Sequence, residues 1–239
     1  MPTFVTTENM SRKKCIILGA GGHSRVILDC LLADSSVEIL ALTDPDPSLH
    51  GLDLYGIPVR GPDSEIAQLI SEGATHFVVG IGSVGDNSVR ARVFELGKHH
   101  GLTPMTVCHP LGICSSFSKV GSGVFVGPAA VVNAGAEVGD NVIINSAAVV
   151  EHDCKISDHV HVATGARLAG GVCVDRGAFI GAGATVREGI TIGKRALVAA
   201  GSLVIEDVDS RSVVMGVPAR PKFNSEQTDD ELNNDAGAE

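Results

Sequence analysis

The stretch VGSGVFVGPAAVVNAGAEVGDNVII, residues 120–144, carries Val or Ile at every sixth position: 120, 126, 132, 138 and 144. The spacing continues through 150, 156, 162, 168, 174, 180, 186, 192, 198 and 204, and all fifteen positions are Val, Ile or Leu. A helix repeats near 3.6 residues and a strand at 2, so neither explains a period of six. Four residues after these positions stand small residues such as Ala130, Ala136, Cys154, Ala166, Ala184 and Ser202. Gly, Asn and Asp cluster between them, as in Val126-Gly127 and Ile192-Gly193. The pattern predicts a parallel β-helix. Each hexad gives one short flat strand, its aliphatic residue pointing inward, and one turn where Gly or Asn accepts the conformation. Three hexads close a triangular coil. Coils stacked at ~4.8 Å bury one continuous core, and five of them stand about 24 Å tall.

Ahead of this prism the chain reads differently. Apolar runs at Lys14–Gly19, Val37–Thr43 and His76–Ile81 predict strands, and Arg25–Leu32, Asp63–Glu72 and Ser88–His100 predict helices. That alternation implies a small parallel sheet in an α/β, Rossmann-like βαβ domain. The expected organisation is a flexible leader over 1–11, the α/β domain over 12–108, the β-helix over 109–220, and a disordered acidic tail over 221–239.

Composition narrows the function. The chain has 239 residues with 44% hydrophobic, 19% charged, 3% aromatic and 29 Gly. This is a foldable composition whose Gly excess suits recurring turns. A net charge of −10 without a basic run disfavours nucleic-acid binding. No run of ~18 apolar residues suggests a membrane span, and Met1 to Lys14 lacks an apolar signal core. Six cysteines without CxxC spacing fit a reduced, cytoplasmic protein without disulfides or a zinc knuckle.

Two constellations carry chemistry. Gly19-Ala20-Gly21-Gly22-His23-Ser24 lies between a strand and a helix, where a bare backbone lets a phosphate approach the helix N-terminus. The loop lacks the third glycine of the dinucleotide fingerprint, so the pyrophosphate of a nucleotide fits it better than a redox cofactor. Asp44, at the end of the second strand, is placed to take ribose hydroxyls or a base. In the prism, His152, His159 and His161 fall within ten residues. His is suited to proton abstraction near neutral pH. His152 sits third in its hexad, near a corner, so its side chain should leave the core. Asp153 can hold the imidazole if the turn brings the two side chains together.

Gly-Ala-Gly-Gly-His-Ser, Asn-x6-His-Asp and Gly-Val-Pro-Ala-Arg (216–220), in that order, resemble the sialic-acid O-acetyltransferase family of hexapeptide-repeat enzymes. That family includes the bacillosamine- and perosamine-type nucleotide-sugar N-acetyltransferases, and the resemblance spans about residues 12–220. It implies a left-handed β-helix that forms a homotrimer, with acetyl-CoA as co-substrate between neighbouring prisms and a nucleotide-linked amino sugar on the N-terminal domain. It further implies that His152 is the general base and Asp153 its orienting partner. Asn145 would lie near the acceptor amine, and His161 and the N–H of Gly170 near the acetyl thioester. Gly21, Gly22, His23 and Asp44 would form the nucleotide-sugar site. Pro45 departs from the family's usual acidic run after the second strand, which leaves the nucleotide base open. A role in polysaccharide biosynthesis follows from the same resemblance.

Three other readings compete. One is O-acetylation of a sugar hydroxyl, such as that of sialic acid. Another is a metalloenzyme of the γ-carbonic-anhydrase type, with His159, His161 and His152 as candidate ligands; the resemblance implies no metal. The third is a scaffold protein without catalysis.

Overall fold

The computed structural model describes residues 12–222. The expected leader lies outside these residues, as does the expected tail beyond Lys222.

The N-terminal half is a six-stranded sheet in the order β3-β4-β2-β1-β5-β6. Its strands are β1 (Lys13–Leu18), β2 (Val37–Thr43), β3 (Asp53–Leu54), β4 (Ile57–Gly61), β5 (His76–Val79) and β6 (Thr103–Pro104). All pair in parallel except the β3–β4 hairpin. Helix α1 (Gly22–Leu32) begins inside the glycine loop, three residues before the expected start. Of the expected 63–72 helix, the first turn is 3-10 and α2 covers Ile66–Ser71. Helix α3 runs Ser88–His99. The two-residue strand β3 and β6 are too short to leave a period in the sequence. Ile16, Ile17 and Leu18 of β1 are fully buried, because helices or the prism cover both faces of the sheet.

The second half is the expected left-handed parallel β-helix. Two-residue strands recur every six residues and stack in parallel into three sheets of eight, six and five strands, the eight-stranded one ending in the longer strand Val213–Gly216 and its antiparallel partner Ala219–Pro221. The eight-stranded sheet begins at Val107–Cys108, which pairs with Phe125–Val126. The inward aliphatics from Val126 to Val198, together with Ala130, Ala136, Cys154, Ala166 and Ala184, form one core cluster. From Gly123 to Gly201 every sixth residue has φ between 53° and 75°. This left-handed residue turns the chain at each corner. Asp153 (φ 60°) and His159 (φ 58°) occupy two such positions.

The outward residue of each strand decides what covers each face, and the same face returns every eighteen residues. The first face presents Phe125, Ile143, His161 and Phe179, all buried. The second presents Ile113, Val131, Val149, Arg167, Thr185 and Leu203, and the third Lys119, Glu137, Lys155, Cys173 and Thr191. The N-terminal domain docks on the first face. Phe125 and Ile143 share a core with Ile27, Leu28 and Leu31 of α1. Removing each such side chain from water contributes about 1.5–3 kcal/mol.

Polar contacts fix the docking. Arg90 of α3 is fully buried and donates to the backbone carbonyls of Asn141, His159 (2.6 Å) and Val160 (3.2 Å). Burial pulls its guanidinium down to about 9. Asn87 donates to the carbonyls of Gly177 and Ala178, both at 3.0 Å, and accepts from the Ser83 hydroxyl. No helix of the described residues is long and apolar enough to cross a membrane.

Candidate active site

The chain leaves β1 toward β2 on one side, while β5 lies on the other, so a crevice opens at the carboxyl ends of β1 and β5. Ligands of open α/β sheets bind at such a switch point. The loop Gly19–Gly22 forms one lip. Asp44 holds it: its carboxylate accepts from the N–H of Ala20 (2.8 Å) and of Asp46 (2.9 Å). The Asp44 carbonyl accepts from Nε2 of His50 at 2.8 Å. The sequence reading makes Asp44 a ligand contact; what the structure shows is that its carboxylate orders the loop. A pocket of about 290 Å³ beside the loop is lined by Gly19, Pro45, Asp63, Ile81, Val89 and Arg92, among others.

Gly21 and Gly22 are exposed, and a Cβ on either meets nothing within 4 Å. Gly21 has an ordinary φ of −79° and caps α1 without a side-chain hydrogen bond. Neither packing within the chain nor backbone strain therefore explains this pair. Bare backbone at a helix N-terminus does suit an approaching phosphate. His23, in the first turn of α1, stands edge-on to Phe125 with ring centroids 4.9 Å apart. Burial, and then the charge of Arg90, push its imidazole down to about 4.

In the prism, His152 and Asp153 follow strand Val149–Val150 at the corner between the second and third faces. The left-handed turn at Asp153 brings the neighbouring side chains together, with His152 Nδ1 3.0 Å from Asp153 Oδ2. A carboxylate accepts, so in the neutral ring Nδ1 carries the proton and Nε2 keeps its lone pair. The hydrogen bond to Asp153, with further attraction from Asp153 and Glu151, holds the imidazole pKa above its usual value. Glu151 also accepts from Asn133 at 2.9 Å. The His152 side chain is 64% exposed.

Gly170 occupies the same corner one coil later. A Cβ there would lie 2.5 Å from both Nε2 and Cε1 of His152, so the ring rests directly on bare backbone. The N–H of Gly170 makes no backbone hydrogen bond among the described residues. The imidazole of His152 and the half-buried backbone of Gly170, whose N–H makes no backbone bond, thus lie side by side, and acyl transfer needs a proton acceptor at the nucleophile and a donor at the oxyanion.

Asn145 and His161 lie elsewhere. Asn145 follows strand Ile143–Ile144, at the corner between the first and second faces. The second face therefore separates it from His152, and this single chain does not bring the two together. Asn145 accepts from the N–H of Ser146 (2.8 Å) and contacts His161 Nε2 (3.2 Å). His161 is 5% exposed. Its Nδ1 is 2.9 Å from the Ser83 carbonyl, and its ring stands edge-on to Phe179 at 5.2 Å. Burial, then Arg90, push its pKa down to about 3. His159 sits at the third corner, held by Asn141 and Arg176 at 2.8 Å each. The three imidazoles considered as metal ligands thus point to separate places. Among the described residues no group of three or more His, Cys, Asp or Glu is arranged for a metal.

Sequence reasoning missed Arg90, Ser83 and Asn87, which join the two halves. A signal for the docked face was present in the eighteen-residue spacing of Phe125, Ile143, His161 and Phe179.

Comparison with known proteins agrees with this geometry. A protein-family model described as the PglD N-terminal domain matches residues 14–96. Perosamine N-acetyltransferase from Caulobacter crescentus, solved with CoA and GDP-perosamine, is 35% identical with a TM-score of 0.82. The match covers 88% of this chain and 97% of that one. The acetyltransferase domain of PglB from Neisseria gonorrhoeae, solved with acetyl coenzyme A, is 31% identical with a TM-score of 0.81, over 89% of this chain and 100% of that one. WeeI from Acinetobacter baumannii is 26% identical with a TM-score of 0.74, over 87% and 99%. No curated protein sequence matches the chain. With a glycine-loop domain docked on a hexapeptide prism, and relatives above 30% identity along almost their whole length, this chain belongs to the nucleotide-sugar N-acetyltransferase family of left-handed β-helix acyltransferases.

Proposed function

We propose that the protein transfers an acetyl group from acetyl-CoA to the amino group of a nucleotide-linked amino sugar, with His152 as general base. The observation that carries this reading is the His152–Asp153 pair resting on Gly170. Nε2 of His152 takes the proton that the attacking amine sheds, leaving an acetamide, and delivers it to the departing thiolate. Asp153 holds the ring in the tautomer that frees Nε2 and favours the imidazolium as it forms. The Gly170 N–H donates to the carbonyl oxygen as it becomes negative. Gly21, Gly22, His23 and Asp44 form the side that holds the nucleotide, and a remote anchor of that kind fixes the amine for attack. Acetyl-CoA fits the prism corner because an unused N–H and an exposed base stand there together.

A closed homotrimer completes the site in this reading. The second face carries Ile113, Val131 and Val149, with Leu111 (70% exposed) and Phe117 (81% exposed) on the corners beside it. Exposed apolar groups of this kind mark an interaction surface. His152 and Asn145 bound opposite edges of that face, so a cyclic, head-to-tail contact sets one copy's base against the next copy's Asn145 and sheet domain. Both ring nitrogens of His161 are engaged within its own chain, so in this reading its ring acts through those bonds. We place the enzyme in the cytoplasm, beside its co-substrates.

The test is a panel of UDP-, GDP- and dTDP-linked amino sugars with acetyl-CoA, reading CoA release and product mass. An acetamide formed on one of them, by a trimer in sedimentation analysis, is the expected result. Acetylation of a hydroxyl instead, or full activity of a monomer, overturns the corresponding part.

A further inference from the structure

Two hydrogen bonds connect the two halves of the site through one buried ring. The Ser83 carbonyl lies in the loop after β5, which borders the nucleotide crevice. A carbonyl only accepts, so His161 Nδ1 carries the proton in the 2.9 Å contact. The buried ring is neutral and has one proton to give, which leaves Nε2 as an acceptor. Asn145 must then donate from Nδ2 across 3.2 Å. Its Oδ1 is taken by the Ser146 N–H at 2.8 Å. Both ends of the carboxamide are thereby fixed, and one Nδ2–H is left for a ligand. Phe179, edge-on at 5.2 Å, keeps the imidazole from turning.

We propose that His161 is a positioning residue: it ties the carboxamide of Asn145 to the Ser83 loop, so that Asn145 presents a single N–H donor to an oxygen of the sugar beside the reacting amine. This rests on the reading of Asn145 as an acceptor-side residue. It assigns to the ring a task inside its own chain, distinct from a contact with the acetyl donor. The loop needs this register because Ser83 also grips Asn87, which is bonded to the carbonyls of Gly177 and Ala178. Loop, ring and carboxamide are therefore held in one register on the prism.

The experiment is a double-mutant cycle on the full-length protein with acetyl-CoA and the sugar nucleotides of the panel above. His161→Phe keeps an aromatic ring against Phe179 but removes both hydrogen bonds; Asn145→Ala removes the carboxamide. Each single variant is expected to lower kcat/KM for the acceptor about tenfold, the scale of one lost hydrogen bond. The double variant should be no worse than the worse single one, with KM for acetyl-CoA unchanged throughout. Losses that multiply overturn the proposal, because a general structural fault in His161→Phe, or a separate contact with the acetyl donor, adds to the loss at Asn145. A silent His161→Phe beside a damaged Asn145→Ala also overturns it and leaves the Asn145 reading intact. A silent Asn145→Ala overturns that reading, and the proposal with it.

Discussion

Replacing Gly170 by Ala tests the stacking of the base on bare backbone. The new Cβ lies 2.5 Å from Cε1 and Nε2 of His152 and 3.2 Å from Nδ1. Favourable contact for such atoms begins near ~3.5 Å, so the ring must retreat by about 1 Å. The Nδ1–Asp153 bond, now 3.0 Å, does not survive a shift of that size. A misplacement of about 1 Å at a reacting group costs on the order of 10²-fold in rate. Folding is little affected. Gly170 is not in the left-handed region, and an exposed imidazole can swing into water. A change within about 0.5 kcal/mol is expected for such a surface site. Steady-state CoA release, a thermal melt and a pH profile read the outcome. The expected result is kcat down about 10²-fold, acceptor KM within about twofold, and an unchanged Tm. Full turnover with Ala at 170 refutes the geometry, and a large drop in Tm shows that Gly170 serves the prism instead of the base.

Three further outcomes follow from other contacts. The hydrogen bond to Asp153 is the largest cause of the raised His152 pKa, so the acidic limb of the wild-type kcat–pH profile lies above the position an unpaired histidine would give it. Asp153→Asn should move the acidic limb of the kcat–pH profile to lower pH while reducing kcat; an unmoved limb contradicts the pairing. Gly22→Ala adds a better helix former where a Cβ meets nothing, so stability should hold or rise by up to about 1 kcal/mol while acceptor KM increases. An unchanged KM shows that no ligand passes there. Arg90→Met strands the carbonyls of Asn141, His159 and Val160, and chemical denaturation should show a loss of about 2–4 kcal/mol. A neutral result shows that apolar contacts alone hold the two halves together.

The prism was legible because its rule is strictly periodic: an inward aliphatic every six residues, from Val120 to Val204, has one physical solution. The exposure of His152 followed from its place in the hexad. The interface between the halves was not legible, since Arg90 finds its carbonyl partners 51, 69 and 70 residues away and no local pattern announces such a contact. Helix α1 was placed late because Gly22 and His23, poor helix formers in isolation, are held by the Asp44-braced loop and by Phe125. Asn145 and His152, seven residues apart, look like neighbours in sequence. One strand of the prism carries them to opposite edges of a face.

The measurement that bears most directly on the account is single-turnover acetyl transfer by His152→Ala at saturating acetyl-CoA and acceptor. The account predicts a rate lower by roughly 10²–10⁴-fold, the usual contribution of a general base. It also predicts little change in acceptor binding, because the glycine-loop domain holds the nucleotide. A near-wild-type rate contradicts it and moves the proton transfer away from the prism corner.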